Sequence, residues 1–137
     1  MRSGRTIRIG LAALLLALAS TTAPSGAAPA GSPISVRGLV RVEVDTYQSL
    51  PPPYKPGHRV LTSKTALAAF AKAVTSHRIA IRQYPTASSG CTGGIEYTIL
   101  VRTNVRKTTL SAYRCAGTIT GDLTGEVAAF LRDLGSI

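Results

Sequence analysis

Ile95-Glu96-Tyr97-Thr98-Ile99-Leu100-Val101-Arg102 alternates with a period of two: Ile95, Tyr97, Ile99 and Val101 fall on one face, and Glu96, Thr98, Leu100 and Arg102 on the other. That alternation is the mark of a half-buried strand. Asn104 to Lys107 then turns the chain, and a second strand returns through Leu110 to Cys115. A hairpin of this length brings Cys115 opposite the neighbourhood of Ile95, a few residues beyond Cys91. The chain holds only these two cysteines, so the hairpin predicts a Cys91–Cys115 disulfide. The pairing suits an exported protein, where an even cysteine pair reads as a bridge. The alternative, a catalytic thiol at Cys91 within Ser89-Gly90-Cys91-Thr92-Gly93-Gly94, would strand Cys115 and has no histidine near it in sequence.

Working outward, Val36, Val40, Val42 and Val44 alternate with Arg37, Arg41, Glu43 and Asp45 in another strand. Tyr47 to His58 carries Pro51-Pro52-Pro53 and Pro56-Gly57, which deny backbone hydrogen bonds and predict a stiff exposed loop. Ser63 can cap a helix with Leu67, Phe70, Ala71 and Val74 on its apolar side, ending near His77. Ile79 to Arg82 reads as a short strand, stopped by Pro85 and the Ala87-Ser88-Ser89-Gly90 run. Cys115-Ala116-Gly117 and Thr120-Gly121-Asp122 read as a turn. Leu123, Val127, Phe130, Leu131 and Leu134 then form the stripe of a closing helix capped by Asp122 or Thr124. The order is β-α-β-β-β-α. The fold class expected is α+β: a two-layer sandwich of a mainly antiparallel four-stranded sheet and two amphipathic helices.

The first 30 residues have a separate logic. Arg2, Arg5 and Arg8 precede an apolar run from Ile9 to Ala19, and Ala28-Pro29-Ala30 supplies the small residues signal peptidase requires, so residues 1–30 read as a secretory signal peptide. Ser25 and Ala27 offer an earlier cut. The run is short of the ~20 residues that span a bilayer, which disfavours an uncleaved anchor. Residues 31–137 then form one secreted domain without stable membrane insertion. Of the 137 residues, 16 are Lys or Arg and 6 are Asp or Glu, a net charge of +10. With Arg2, Arg5 and Arg8 removed, the remainder still carries +7. Outside a cell such a charge meets wall polymers, acidic lipids or acidic proteins. Five tyrosines and two phenylalanines with no tryptophan are too few and too scattered for a base-stacking nucleic-acid module.

No HExxH, GxSxG, Walker loop or paired-cysteine metal motif occurs. No cofactor or metal site is therefore expected, and the chain is read as a non-enzyme. His77 at a helix end reads as a cap favoured by the helix dipole, and His58 as a surface loop residue. Gly90, Gly93 and Gly94 are better explained by a turn than by a phosphate loop. The best functional reading is a non-catalytic binding module, in one form an inhibitor of an extracellular enzyme, gripping its target through a constrained loop. Candidate loop residues are Pro51, Pro52, Pro53 and Tyr54 in the first loop and Tyr84 and Pro85 in the second. A second candidate surface is the sheet face with Arg41, Arg82, Arg102 and Tyr113, functional only if Tyr84 and Tyr113 converge with the arginines. The alternative is an envelope-associated protein held electrostatically to an anionic wall polymer, and a small hydrolase built on His58 or His77 is the least favoured reading.

Overall fold

The computed structural model describes residues 31–48, 56–87 and 90–137. The segment 1–30 and the candidates Pro51, Pro52, Pro53 and Tyr54 lie outside them. Nine elements follow in order: β1 (Gly31–Pro33), β2 (Leu39–Gln48), β3 (Gly57–Leu61), α1 (Lys64–Ser76), β4 (Ala80–Thr86), β5 (Ile95–Thr103), β6 (Lys107–Cys115), β7 (Thr118–Thr124) and α2 (Val127–Leu134). The strands form one antiparallel sheet in the order β1-β4-β7-β6-β5-β2-β3. The α+β class and the two helices hold, and the sheet has seven strands in place of four.

The predicted hairpin is the centre of that sheet. Ile99 pairs with Leu110 and Tyr97 with Ala112, and the face they share meets the helices. Val42, Val44, Ile99, Val101, Leu110, Ala112 and Leu123 are buried there with Phe70, Val74, Phe130, Leu131 and Leu134. Phe70 of α1 and Phe130 of α2 are buried at 0% and 1% exposure, ring centroids 5.9 Å apart in an edge-to-face arrangement, a favoured geometry for aromatic pairs. They are the seam between the helices. Ser63 caps α1 as expected, its Oγ accepting from the Ala66 backbone N–H at 3.2 Å.

The three additional strands correct the reading of three turn-like segments. Gly31–Pro33, read as a leader, pairs with β4. Gly57–Leu61, of which Gly57 and His58 read as the end of the Pro-rich loop, pairs with β2 as an edge strand, and His58 sits on it opposite Asp45. Thr118–Thr124, read as a turn and the start of a helix, pairs with both β6 and β4. Gly121 interrupts its alternation for a steric reason. It holds φ +109°, and a Cβ there would lie 2.6 Å from the Ser111 carbonyl oxygen. Because β7 consumes Leu123 and Thr124, α2 starts later than predicted: Glu126 stands at its N-cap without a side-chain capping bond. The strand β4 likewise runs through Pro85 to Thr86, with an irregular register between Ile81 and Thr86.

Candidate functional site

Both helices pack on one side of the sheet, so the opposite face is uncovered among the described residues. Strand register sorts its side chains into cross-strand rows. Arg41, Arg102 and Lys107 lie side by side on β2, β5 and β6, and Glu43, Leu100 and Thr109 form the next row. His58, Asp45, Thr98 and Ser111 follow, and then Tyr47, Glu96, Tyr113 and Thr120. The face is polarised, with cations at one end and carboxylates from the second row onward. Asp122 joins the acidic part, its carboxylate accepting from the Ser111 N–H at 2.6 Å and the Ser111 hydroxyl at 2.8 Å.

At the far end of this face the chain from Tyr84 to Thr92 is pinned twice. Thr86 pairs with Gly121, whose N–H donates to Thr86 Oγ1 at 3.0 Å. Five residues later Cys91 is bonded to Cys115, with a Cα–Cα separation of 6.1 Å. The phenol of Tyr113 doubles that anchor, accepting from the Cys91 N–H at 2.8 Å and donating to the Cys91 carbonyl at 3.2 Å. Gly93, at φ +80°, sits in a turn closed by the Gly94 N–H on the Cys91 carbonyl at 3.0 Å, the position where this backbone requires glycine. Gly94 has a different reason. A Cβ there would overlap Tyr113 Oη and Cζ, so the glycine is the space the phenol occupies. Tyr84 projects at 79% exposure. Pro85, Thr86, Glu96, Tyr113 and Asp122 line a hollow of about 300 Å³ beside the loop.

Tyr113 thus belongs to the loop anchor. It lies six residues along β6 from Lys107, about 20 Å at strand rise, and so does not converge with Arg41 and Arg102. Arg82 stands apart on β4, its Nε donating to the Leu123 carbonyl at 2.7 Å. The expected meeting of tyrosines and arginines does not form.

The histidines occupy two different settings. His58 Nδ1 lies 2.5 Å from Asp45 Oδ1 on the exposed face, beside a hollow of about 320 Å³ that Glu96 and Thr98 share. His77 closes α1, its backbone N–H bonded to the Ala73 carbonyl at 3.1 Å. Its ring bridges to α2, with Nε2 at 2.8 Å from Asp133 Oδ2 and Nδ1 at 3.3 Å from Glu126 Oε2. Hydrogen bonding to Asp133 first, and to Glu126 second, raises its pKa above the usual imidazole range, because these bonds favour the doubly protonated ring. Glu126 and Asp133 were not singled out in the sequence, and their spacing from His77 offered no local signal.

A third hollow, about 260 Å³, lies on the helix side between Val44, Tyr97, Leu131 and Leu134. Arg59 stands at its edge, its guanidinium donating to the carbonyls of Leu134 at 3.0 Å and Gly135 at 2.8 Å. Among the described residues no three His, Cys, Asp or Glu side chains converge as metal ligands, and no helix is long and apolar enough to cross a membrane. No family model, curated protein or solved structure matches the chain.

Proposed function

We propose that this is an exported, non-catalytic binding protein that inhibits an extracellular enzyme by presenting the Tyr84–Thr92 loop, with residues 1–30 removed on secretion. The double anchoring of that loop carries the reading. Thr86 and Cys91 are each tied to the sheet, one through Gly121 and the other through Cys115 and Tyr113. A partner meets a segment whose two ends are already fixed by folding, which lowers the cost of binding. Tyr84 supplies a large aromatic side chain of the kind that anchors interfaces. The hollow bearing Glu96 and Asp122 sets beside it a region suited to basic groups of the target. The disulfide fits an oxidising compartment, where such bonds persist.

The test is titration of the oxidised domain, residues 31–137, into culture filtrate of the producing organism while its secreted hydrolase activities are followed. Stoichiometric loss of one activity is expected. Tyr84→Ala is expected to weaken inhibition at least about tenfold, as for an interface hot spot. Full activity of every hydrolase in excess protein would refute the inhibitor reading.

A further inference from the structure

We propose that the cationic row Arg41–Arg102–Lys107 is a binding site for an extended phosphate-bearing polymer. In the register Arg41 stands opposite Arg102, and Arg102 opposite Lys107. Like charges directly opposite each other on neighbouring strands destabilise a sheet. The arrangement nevertheless occupies three consecutive strands, spanning roughly 10 Å at ordinary strand spacing. Among the described residues the protein's own acids meet only one member of the row. Arg41 Nε bonds to Glu43 at 2.8 Å, leaving its terminal nitrogens available, while neither Arg102 nor Lys107 meets a carboxylate among the described residues. The acids of this face are placed further along the strands, on the rows toward the anchored loop.

The backbone beneath the row is fixed. The turn joining β5 to β6 is closed by the Thr103 N–H on the Arg106 carbonyl at 2.8 Å, and Thr103 Oγ1 accepts from the Arg106 N–H at 3.1 Å. The Asn104 N–H donates to the Gly38 carbonyl at 2.9 Å, joining this turn to the one before β2. Exposed Arg37 and Arg106 sit on those two turns and extend the positive surface past the sheet end. Guanidinium groups match phosphate oxygens two at a time, and the ammonium adds a point charge. A chain of phosphates running across the strands would replace mutual repulsion by a series of charge-assisted hydrogen bonds. The site lies at the opposite end of the face from the Tyr84–Thr92 loop, so it does not depend on the inhibitor reading.

The experiment measures binding of the oxidised domain to immobilised long-chain polyphosphate over a range of salt concentrations. Arg102→Gln with Lys107→Gln is compared with a charge-matched control on the helix side, Lys72→Gln with Arg132→Gln. The row variant is expected to bind at least about tenfold more weakly at low salt, with a salt dependence shallower by about two ion equivalents. The control is expected to change by less than about twofold. The row variant should also keep or raise its urea midpoint, since it removes repulsion within the fold. Equal losses in both variants would show that net charge alone acts, and would overturn the site. So would absence of polyphosphate binding, or binding confined to phosphatidylglycerol vesicles, the latter assigning the row to a membrane surface.

Discussion

Replacing both cysteines, as Cys91→Ser with Cys115→Ser, tests the account of how the loop is held. The bridge closes a sequence separation of 24 residues. For a loop of that length the chain-entropy relation gives about 3.5 kcal/mol of stabilisation, acting through the unfolded state. The entropy of unfolding expected for residues 31–137 turns this into a fall in Tm of about 15 °C. The native state should change little, because Tyr113 still receives the Cys91 N–H and returns a bond to its carbonyl, and because the β5–β6 pairing does not depend on sulfur. Urea unfolding followed by circular dichroism reads the stability, and a steeper dependence on urea should accompany the loss as the unfolded chain expands. Hydrogen exchange of the Cys91 and Gly94 amides separates the two states. Their protection should fall only as far as global stability falls. If the variant lost under about 1 kcal/mol, or if those two amides exchanged freely while the core stayed protected, the bridge would be acting on the folded loop and the reasoning would be wrong.

The His77 bridge predicts a pH dependence of definite sign. A group whose folded pKa is raised stabilises the fold fully below its unfolded value, 6.5, and that contribution disappears as pH rises through the folded value. Urea midpoints from about pH 5.5 to about pH 8.5 should therefore decline on the alkaline side, and His77→Gln should flatten the decline. An unchanged profile in the variant would remove the bridge as its source. Gly94→Ala should cost about 1–3 kcal/mol by forcing the Tyr113 phenol off Cys91. Gly90→Ala, where a Cβ meets nothing within 4 Å, should stay within about 0.5 kcal/mol. Equal effects of the two in thermal melts would contradict the packing account of Gly94.

The central hairpin, its disulfide and the first helix were legible because each has a dense local signal: uninterrupted alternation over Ile95–Arg102, two cysteines at matching heights, and a capping serine ahead of a helical stripe. The missing strands lacked such signals for identifiable physical reasons. Edge strand β3 turns only Leu61 fully into the core, so one apolar residue satisfies it and no alternation appears. Strand β7 needs glycine where Ser111 presses against it, and Gly121 between Thr120 and Asp122 imitates a turn. At the candidate site, the open-face membership of Arg41, Arg102 and Tyr113 followed from parity. Their separation required the register, which depends on the length of the β5–β6 turn. The second anchor on Cys91 was hidden because a phenol reaching back across the sheet leaves no mark in local sequence.

Strand order also has a reading in time. The N-terminal strands are completed by the C-terminal ones: β1 waits for β4, β2 for β5, and β4 for β7. A chain emerging from its N-terminus can pair Val42 with Leu61 early, but β2 gains its second neighbour only when Val101 has appeared, and Phe70 meets Phe130 only near the end. Such non-local pairing slows collapse. For a chain threaded unfolded across a membrane, this topology postpones closure of the core until nearly all of it has crossed.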